Sequence, residues 1–322
     1  MAPFSVLMTA PTIAAPARAL LERSGCTLHW TPAFPTDDVL LARVTEAKPD
    51  AIIARQGRVG AAVMDAAAKL RIVARHGVGV DEVDLDAARA RGIAVTRAPG
   101  SNTQAVAEHA IMLLLAVRKN LRPLGTRVAG GGWRPSDAGT FDVAGLRLGL
   151  LGFGAVARAT AQLALAFGMV VTAYDPRDAG GMPTVARAEN LTALLDASDA
   201  LSVHCPLTVE TRGLIDAAAL ARLPADGIVV NTARGGILDE AALLAALDAG
   251  RLAGAGLDVF AAEPPDLHDR LRDHPLVVAT PHVAGVTPGT LVAMGMMAAE
   301  CVIAVLTGVS VPPDRLVVPG TR

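Results

Sequence analysis

The chain of 322 residues is 52% hydrophobic and 19% charged, which is more apolar material than one core usually holds and predicts two domains. A formal net charge of −2 excludes a broad basic surface for nucleic acid or anionic lipid, and the three dispersed cysteines provide neither a disulfide framework nor a metal-ligand spacing. The N-terminus lacks an early basic residue and prolines interrupt the longest uncharged stretch, so we expect a cytoplasmic protein with no membrane span.

Short apolar runs alternate with helical patterns from the N-terminus onward, which is typical of parallel βαβ units. The pattern predicts a helix over 13–24 and strands over 5–9, 51–54, 71–74 and 92–95. Pro99 and Gly100 then interrupt the chain. Ser101 and Gln104 have the spacing of a capping box, which predicts a long helix from there to about Arg118.

A second α/β series extends from residue 147 to about 281, with strands predicted over 169–174, 227–231, 255–260 and 276–279. Thr287 and Pro288 have the residue types of an N-cap and a first turn, and Gly308 is placed to end the helix that they begin. The sequence therefore predicts an α/β protein with two doubly wound, Rossmann-like halves. The seam is expected near 99–101, and the chain is expected to cross back near 283–287.

The strongest local motif is a Gly-x-Gly-x-x-Ala loop formed by Gly152, Gly154 and Ala157, which an apolar strand precedes and a helical pattern follows. The first glycine permits a tight turn, the second lets the backbone approach a pyrophosphate, and the alanine allows close packing of helix on strand. Asp175 ends the next predicted strand, 23 residues after Gly152 (175 − 152), where a carboxylate accepts hydrogen bonds from ribose hydroxyls. These features predict bound NAD, and Arg177 keeps NADP open as an alternative.

Three polar residues follow predicted strands of the second series: Arg234, Glu263 and His282. A guanidinium can hold a carboxylate and polarise a carbonyl, and an imidazole paired with a carboxylate can carry a proton near neutral pH. Each residue also has a simpler interpretation, respectively a surface arginine, a carboxylate at a helix start and a hydrogen-bonded loop histidine. Their common position at strand ends of the sheet that carries the glycine loop favours the catalytic interpretation.

The sequence resembles the D-isomer-specific 2-hydroxyacid dehydrogenase family from about Asp50 to Gly308. The resemblance rests on these segments, in this order: 77–81, 107–109, 149–157, 204–208, 231–236, 258–264 and 281–285. It implies a substrate domain of residues 1–99 and 285–322 split around an NAD-binding domain of residues 100–284. It also implies closure of the domains during hydride transfer, and a homodimer formed by the helix near 101–120 and the arm before Gly145.

The resemblance implies a role for each residue of the site. Arg234 binds and polarises the substrate, His282 is the acid and base, and Glu263 pairs with His282. The substrate carboxylate goes to the amides of Val78 and Gly79, and Arg55 lines the pocket. The glycine loop and the matched motifs together predict these cofactor contacts: Gly152, Gly154, Ala155, Val156, Asp175, His204, Pro206, Thr232, Ala233, Asp258 and His282. Ala155 stands where the family often has arginine, so a side-chain contact to the pyrophosphate is expected to be missing.

Arg55 and Arg58 lie three residues apart in the segment that the family uses against the far end of its substrate. Either both arginines hold a distal anion, or Arg55 binds substrate and Arg58 is solvated. We expect a short polar 2-keto acid, with hydroxypyruvate or glyoxylate first and phosphohydroxypyruvate second. The alternative is a dinucleotide-sensing protein on the same scaffold, and Glu263 disfavours formate because formate dehydrogenases of this fold have glutamine there.

Overall fold

The computed structural model describes residues 4–134, 139–177 and 180–321. Within these ranges the chain forms the strands β1 (Phe4–Met8), β2 (Cys26–Trp30), β3 (Ala51–Ala54), β4 (Ile72–Arg75), β5 (Ala94–Thr96), β6 (Arg147–Leu151), β7 (Val170–Tyr174), β8 (Ala186–Arg187), β9 (Ala200–Val203), β10 (Ile228–Asn231), β11 (Gly254–Leu257), β12 (Val277–Ala279) and β13 (Leu316–Val318). The helices are α1 (Ala15–Arg23), α2 (Asp37–Ala47), α3 (Ala61–Ala66), α4 (Leu85–Ala90), α5 (Thr103–Arg118), α6 (Leu121–Ala129), α7 (Ala155–Ala166), α8 (Leu191–Asp196), α9 (Ala217–Leu220), α10 (Glu240–Asp248), α11 (Arg270–Asp273) and α12 (Pro288–Thr307).

The chain divides into two compact units, one made of Met1–Asn102 and Val286–Arg322 and the other of Thr103–Gly285. Each unit contains one sheet with helices on both faces, so the α/β, Rossmann-like fold class predicted from the sequence is confirmed. The first unit comprises both ends of the chain, and the second is a continuous segment.

The first unit has a six-stranded sheet in the order β13-β5-β4-β3-β1-β2, in which only β13 runs antiparallel to its neighbour. Helices α1 and α12 cover one face, and α2, α3 and α4 cover the other. All four residues of β3 are buried, as expected for a parallel strand covered on both faces. Chain order reverses between β1 and β3, which is the position where doubly wound sheets bind ligands beyond the strand ends.

The second unit has a seven-stranded, all-parallel sheet in the order β12-β11-β10-β9-β6-β7-β8. Helices α5 and α7 cover one face, and α8, α9, α10 and α11 cover the other. The order reverses between β6 and β9, so the glycine loop after β6 lies at the switch point. The carboxyl ends of the parallel strands share one edge, which gathers the polar residues that follow them.

The capping box predicted at Ser101 and Gln104 is wrong. Helix α5 begins at Thr103, whereas an N-cap at Ser101 would begin it at Asn102, and the Ser101 hydroxyl donates to the carbonyl of Ala98 at 2.7 Å. The amide of Gln104 instead bonds Glu108 one turn along the helix. The nearby Gly100 has φ of 73°, and this tight turn separates Ser101 from the first helical amides.

Both predicted ends of the final helix, α12, are confirmed. Thr287 forms a capping box with Thr290, and Gly308 ends the helix with φ of 75°. By length and composition α12 could cross a membrane. Its buried residues, among them Ala298 and Val302, pack in the core of the first unit, as expected for an apolar helix that covers a sheet.

Candidate active site

The glycine loop after β6 has the conformation that a bound dinucleotide requires. Gly152 has φ of 87°, and a Cβ there would lie 2.7 Å from the backbone nitrogen of Cys205, so only glycine fits. Gly154 precedes the first turn of α7, and among the described residues no atom lies within 4 Å of the position of its absent Cβ. Ala155 and Val156 follow as the first helical residues, and Ala157 is buried in the core. The open space beside the amides of a helix N-terminus fits a pyrophosphate.

Asp175 lies at the end of β7 beside this loop. One carboxylate oxygen accepts from the amide of Phe153 at 2.8 Å, and the other accepts from the amide of Arg177 at 2.9 Å. The carboxylate is thereby held against the glycine loop, where it can accept from the ribose hydroxyls of a dinucleotide. The guanidinium groups of Arg158 and Arg187 lie over the Phe153 ring, 4.4 and 5.1 Å from its centroid, so positive charge also surrounds this position.

The segment after β9 packs against the same turn. His204 shares a hydrogen bond of 2.9 Å with Ser202, and burial lowers the pKa of His204 to about 4, so its imidazole is neutral at physiological pH. Burial raises the pKa of the Cys205 thiol to about 11, so Cys205 is a packing residue and not a reactive thiol. The carbonyl of the exposed Pro206 accepts from Thr211, which closes the turn.

The turn after β10 places Arg234. The buried side chain of Asn231 accepts from the amide of Ala233 and donates to the carbonyl of Arg234, at 3.0 and 2.9 Å, which closes a tight turn. A Cβ on Gly235 would lie 1.9 Å from the carbonyl carbon of Phe260, so this turn meets the segment after β11 in direct backbone contact. The buried Thr232 hydroxyl has no hydrogen-bond partner among the described residues, and such an orphaned group in a cofactor cleft fits a bound ligand.

His282 and Glu263 form the central pair of the site. The Nδ1 atom of His282 lies 2.6 Å from Oε2 of Glu263, and Oε1 of Glu263 accepts from the amide of Phe260 at 3.1 Å. Burial alone would raise the pKa of Glu263, but the bond and charge of His282, the Phe260 amide and the charge of Arg234 outweigh burial and lower it. Glu263 is therefore ionised at neutral pH. The pairing at Nδ1 leaves Nε2 of His282 as the ring nitrogen that can exchange a proton with a substrate.

Asp258 holds the His282 segment in place. Its carboxylate is fully buried and accepts from the amides of Val283 and Ala284, each at 2.9 Å, and from the hydroxyl of Thr280 at 2.6 Å. The Asp258 carbonyl accepts from the amide of His282 at 2.7 Å. These bonds stabilise His282 at φ of 52°, a conformation that residues other than glycine seldom adopt.

His109 on α5 completes this network. Its Nε2 atom lies 2.9 Å from the Thr280 hydroxyl, and because that hydroxyl donates to Asp258, the imidazole must be the donor to Thr280. The sequence predicted a cofactor contact for Asp258. In the structure both Asp258 oxygens accept hydrogen bonds from the His282 segment, and the cofactor contact stays a prediction. The contribution of Thr280 was not predicted, although it lies two residues before His282.

The predicted substrate residues lie in the first unit. Arg55 is half-buried directly after β3, and Val78 and Gly79 follow β4. Neither the Val78 amide nor the Gly79 amide donates a hydrogen bond within the part of the chain that the structure describes. Two adjacent unpaired amides form a site that suits a carboxylate.

An all-parallel sheet with a glycine loop at its switch point and a histidine–carboxylate pair beside an arginine is typical of nicotinamide-dependent dehydrogenases. The model of the D-isomer specific 2-hydroxyacid dehydrogenase NAD binding domain matches residues 111–284. The chain belongs to the D-isomer specific 2-hydroxyacid dehydrogenase family, which is a family of oxidoreductases. This confirms the predicted family, enzyme class and cofactor, NAD.

Relatives and a solved structure support the same assignment. The chain is 43% identical over 293 residues to the D-3-phosphoglycerate dehydrogenase of Mycobacterium tuberculosis, covering 88% of this chain and 54% of that protein. The chain therefore spans about half the length of this relative. It is 37% identical over 242 residues to the hydroxypyruvate reductase of Thermotoga maritima, covering 74% of this chain and 78% of that protein. The crystal structure of TT0316 from Thermus thermophilus is 37% identical, with a TM-score of 0.89, and covers 97% of this chain and 99% of that one.

Proposed function

We propose that this chain is an NAD-dependent D-2-hydroxyacid dehydrogenase that interconverts a short polar 2-keto acid and its 2-hydroxy acid. The observation that carries the proposal is the His282–Glu263 pair, joined at 2.6 Å in the unit that also presents the glycine loop. The charge of Arg234 acts on the same carboxylate. Proton transfer and carbonyl polarisation are the two contributions that hydride transfer to a keto acid requires from protein side chains.

In the reductive direction, bound NADH supplies the hydride to the C2 carbon of the keto acid. The Arg234 guanidinium polarises the C2 carbonyl, and the carbonyl oxygen takes the proton from Nε2 of His282. The ionised Glu263 stabilises the protonated imidazole through Nδ1 and fixes its orientation. In the oxidative direction His282 receives the hydroxyl proton, so the same pair serves both directions.

The substrate carboxylate is assigned to the unpaired amides of Val78 and Gly79. Two adjacent backbone amides in a turn can bind a carboxylate through charge-assisted hydrogen bonds. Arg55 adds a positive charge in the same unit, since its charge acts on the neighbouring His76. This assignment uses donors that have no other partner in the described residues.

The substrate class is a small polar acid, with hydroxypyruvate or glyoxylate first and phosphohydroxypyruvate second. The segment from Arg55 to Arg58 contains no aromatic side chain that would favour a large apolar substrate. Arg58 is exposed, so it is available to a distal anion such as phosphate. The names of the two relatives match this range of substrates, since one is a hydroxypyruvate reductase and the other a D-3-phosphoglycerate dehydrogenase.

The test is oxidation of NADH and of NADPH in the presence of hydroxypyruvate, glyoxylate, phosphohydroxypyruvate, pyruvate and a branched keto acid. We expect turnover with NADH and one of the first three acids. A preference for the branched acid would reject the substrate class. If none of the acids is reduced, while NADH binding measured by fluorescence is intact, the result would favour the dinucleotide-sensing alternative.

We also propose that the protein is a homodimer formed through the second unit. Helices α5, α6 and α7 present an apolar surface that includes Met112, Leu121 and Phe167, each exposed by more than a third. Glu108 and Lys119 line the same surface with opposite charges, which a two-fold-related copy could pair. Residues 135–138 of the predicted dimer arm lie outside the described residues.

Sedimentation should show a dimer that Leu121→Glu converts to monomer, and a monomeric wild-type chain would reject the proposal.

A further inference from the structure

Arg75, the last residue of β4, is bound to three backbone carbonyls. Its Nη1 atom donates to the carbonyls of Ala54 and Arg55, each at 2.8 Å, and its Nε atom donates to the carbonyl of Gly79 at 2.9 Å. These carbonyls belong to two separate segments, one at the end of β3 and one after β4. Arg75 therefore connects the segment of Arg55 with the segment of Val78 and Gly79.

The first segment is held from both sides. The amide of Arg55 donates to the buried hydroxyl of Thr9 at 2.9 Å, and the carbonyl of Arg55 accepts from Arg75. The amide of Gln56 also donates to the Thr9 hydroxyl, at 3.1 Å. With its amide and carbonyl both bound, the backbone of Arg55 has a fixed direction, and so does the start of its side chain.

The second segment is held at two peptides, Gly77–Val78, which carries the Val78 amide, and Gly79–Val80, which follows the Gly79 amide. The carbonyl of Gly77 accepts from the amide of Ala98 at 2.8 Å, and the carbonyl of Gly79 accepts from Arg75. Because the C=O and N–H of a trans peptide point in opposite directions, the first bond directs the Val78 amide away from Ala98. The Gly79 amide lies between these two anchored peptides, so Arg75, by holding the second of them, helps to orient the Gly79 donor.

We infer that Arg75 is the positioning residue of the substrate-carboxylate site, and this inference rests on the function proposed above. A guanidinium spreads five N–H donors over three nitrogens in one plane and can bond two segments at once, whereas the three donors of an ammonium share one nitrogen. Arg75 therefore sets the spacing between the Arg55 side chain and the two amides. Loss of Arg75 should weaken substrate binding although Arg55, Val78 and Gly79 are unchanged.

The test compares Arg75→Met with Arg71→Met in the chain of 322 residues. Arg71 is a matched control because it also donates to two backbone carbonyls of the first unit, those of Leu306 and Val305, at 2.9 and 2.8 Å, but neither carbonyl belongs to the candidate site. Arg75→Met should raise the KM for the keto acid by about 10–100-fold, with a smaller effect on kcat and an unchanged KM for NADH. Arg71→Met should leave both KM values unchanged, even if it lowers the melting temperature as much.

Rescue separates positioning from general damage. Added guanidinium at millimolar concentration should restore part of the keto-acid KM of an Arg75→Ala variant, and should not affect Arg71→Ala. Arg75→Lys should fall between wild type and Arg75→Met, since it retains the charge but not the planar donors. Equal keto-acid KM values for Arg75→Met and Arg71→Met would overturn the inference.

If the wild-type chain turns over no 2-keto acid, the proposed function fails and amide hydrogen exchange still tests Arg75. Arg75→Met should then accelerate exchange at the Arg55 and Ala98 amides, which bond the two segments, whereas Arg71→Met should not. Unchanged exchange at both amides would show that Arg75 does not hold the segments.

Discussion

Asp258 and His282 are linked backbone to backbone, with the His282 amide donating to the Asp258 carbonyl at 2.7 Å. The Asp258 carboxylate binds the next two amides of the same segment. The imidazole that meets Glu263 thus projects from a backbone that a buried carboxylate fixes in a left-handed conformation. Two acidic residues therefore serve one histidine: Glu263 pairs with its ring, and Asp258 holds its main chain.

Replacement of His282 tests the proton-transfer role. His282→Ala should reduce kcat for keto-acid reduction by about 10²–10⁴-fold, because no other group would deliver the proton from the same position. The dissociation constant for NADH should change little, since the glycine loop and Asp175 remain. Steady-state kinetics and fluorescence titration with NADH measure the two quantities. Turnover close to that of the wild type would refute the assignment of His282.

Asp258→Asn should lower both the free energy of unfolding of the second unit and the turnover of keto acid. An asparagine amide would place donor hydrogens against the Val283 and Ala284 amides or the Thr280 hydroxyl, all of which donate to Asp258. We expect a loss of about 2–4 kcal/mol in the free energy of unfolding of the second unit, because buried donors lose their acceptor. Urea denaturation measures this loss. The control is Asp142→Asn, whose side chain is 96% exposed and should tolerate the change, and equal stability of the two variants would contradict the role of Asp258.

The order of strands and helices was largely predictable because parallel strands covered on both faces have a strong apolar signal. The strand over 51–54 was predicted with the observed bounds, and Thr287 and Gly308 mark the ends of the final helix as expected. The capping box failed because its spacing alone does not specify which residue begins the helix. In the structure Gly100 makes a turn there, and Ser101 bonds back to Ala98.

The candidate site was predictable in part. Arg234, Glu263 and His282 could be selected because each follows a strand of one sheet, and the structure brings Glu263 and His282 into direct contact. The role of Arg75 could not be predicted, because its partners are backbone carbonyls. Every residue has a backbone carbonyl, so the sequence does not indicate which of them an arginine bonds. The use of the Asp258 carboxylate by the His282 segment was hidden for the same reason.

The two glycines of the cofactor loop should respond differently to substitution by alanine. Gly152→Ala forces a Cβ to within 2.7 Å of the Cys205 nitrogen at a φ of 87°, so it should lower the free energy of unfolding by about 1–3 kcal/mol and weaken NADH binding. Gly154→Ala meets no atom of the described residues within 4 Å, so its stability should stay within about 1 kcal/mol of wild type. It should still weaken NADH binding, because its methyl group occupies the space left for the pyrophosphate. Unaltered NADH affinity in Gly154→Ala would place the cofactor elsewhere.

His76 should make the first unit sensitive to acid. It is 4% exposed, its Nε2 atom has no partner among the described residues, and burial, followed by the charges of Arg55 and Arg75, lowers its pKa to about 4. An unfolded histidine has a pKa near 6.5. Between these two values the unfolded chain binds a proton that the folded chain does not, so stability is complete above about pH 6.5 and is lost as pH falls toward 4.

The size of this loss can be checked by urea denaturation at several pH values. The difference between the two pKa values corresponds to roughly 3 kcal/mol at pH 4. His76→Leu removes the titrating group, so its first unit should lose less stability over the same interval than that of the wild type. Burial also lowers the pKa of His204 to about 4. Because His204 is unchanged in His76→Leu, the second unit of that variant should still lose stability at acid pH. His268→Gln serves as the exposed control and should behave as wild type. If His76→Leu and wild type lose the same stability between pH 6.5 and 4, His76 is not the group that titrates.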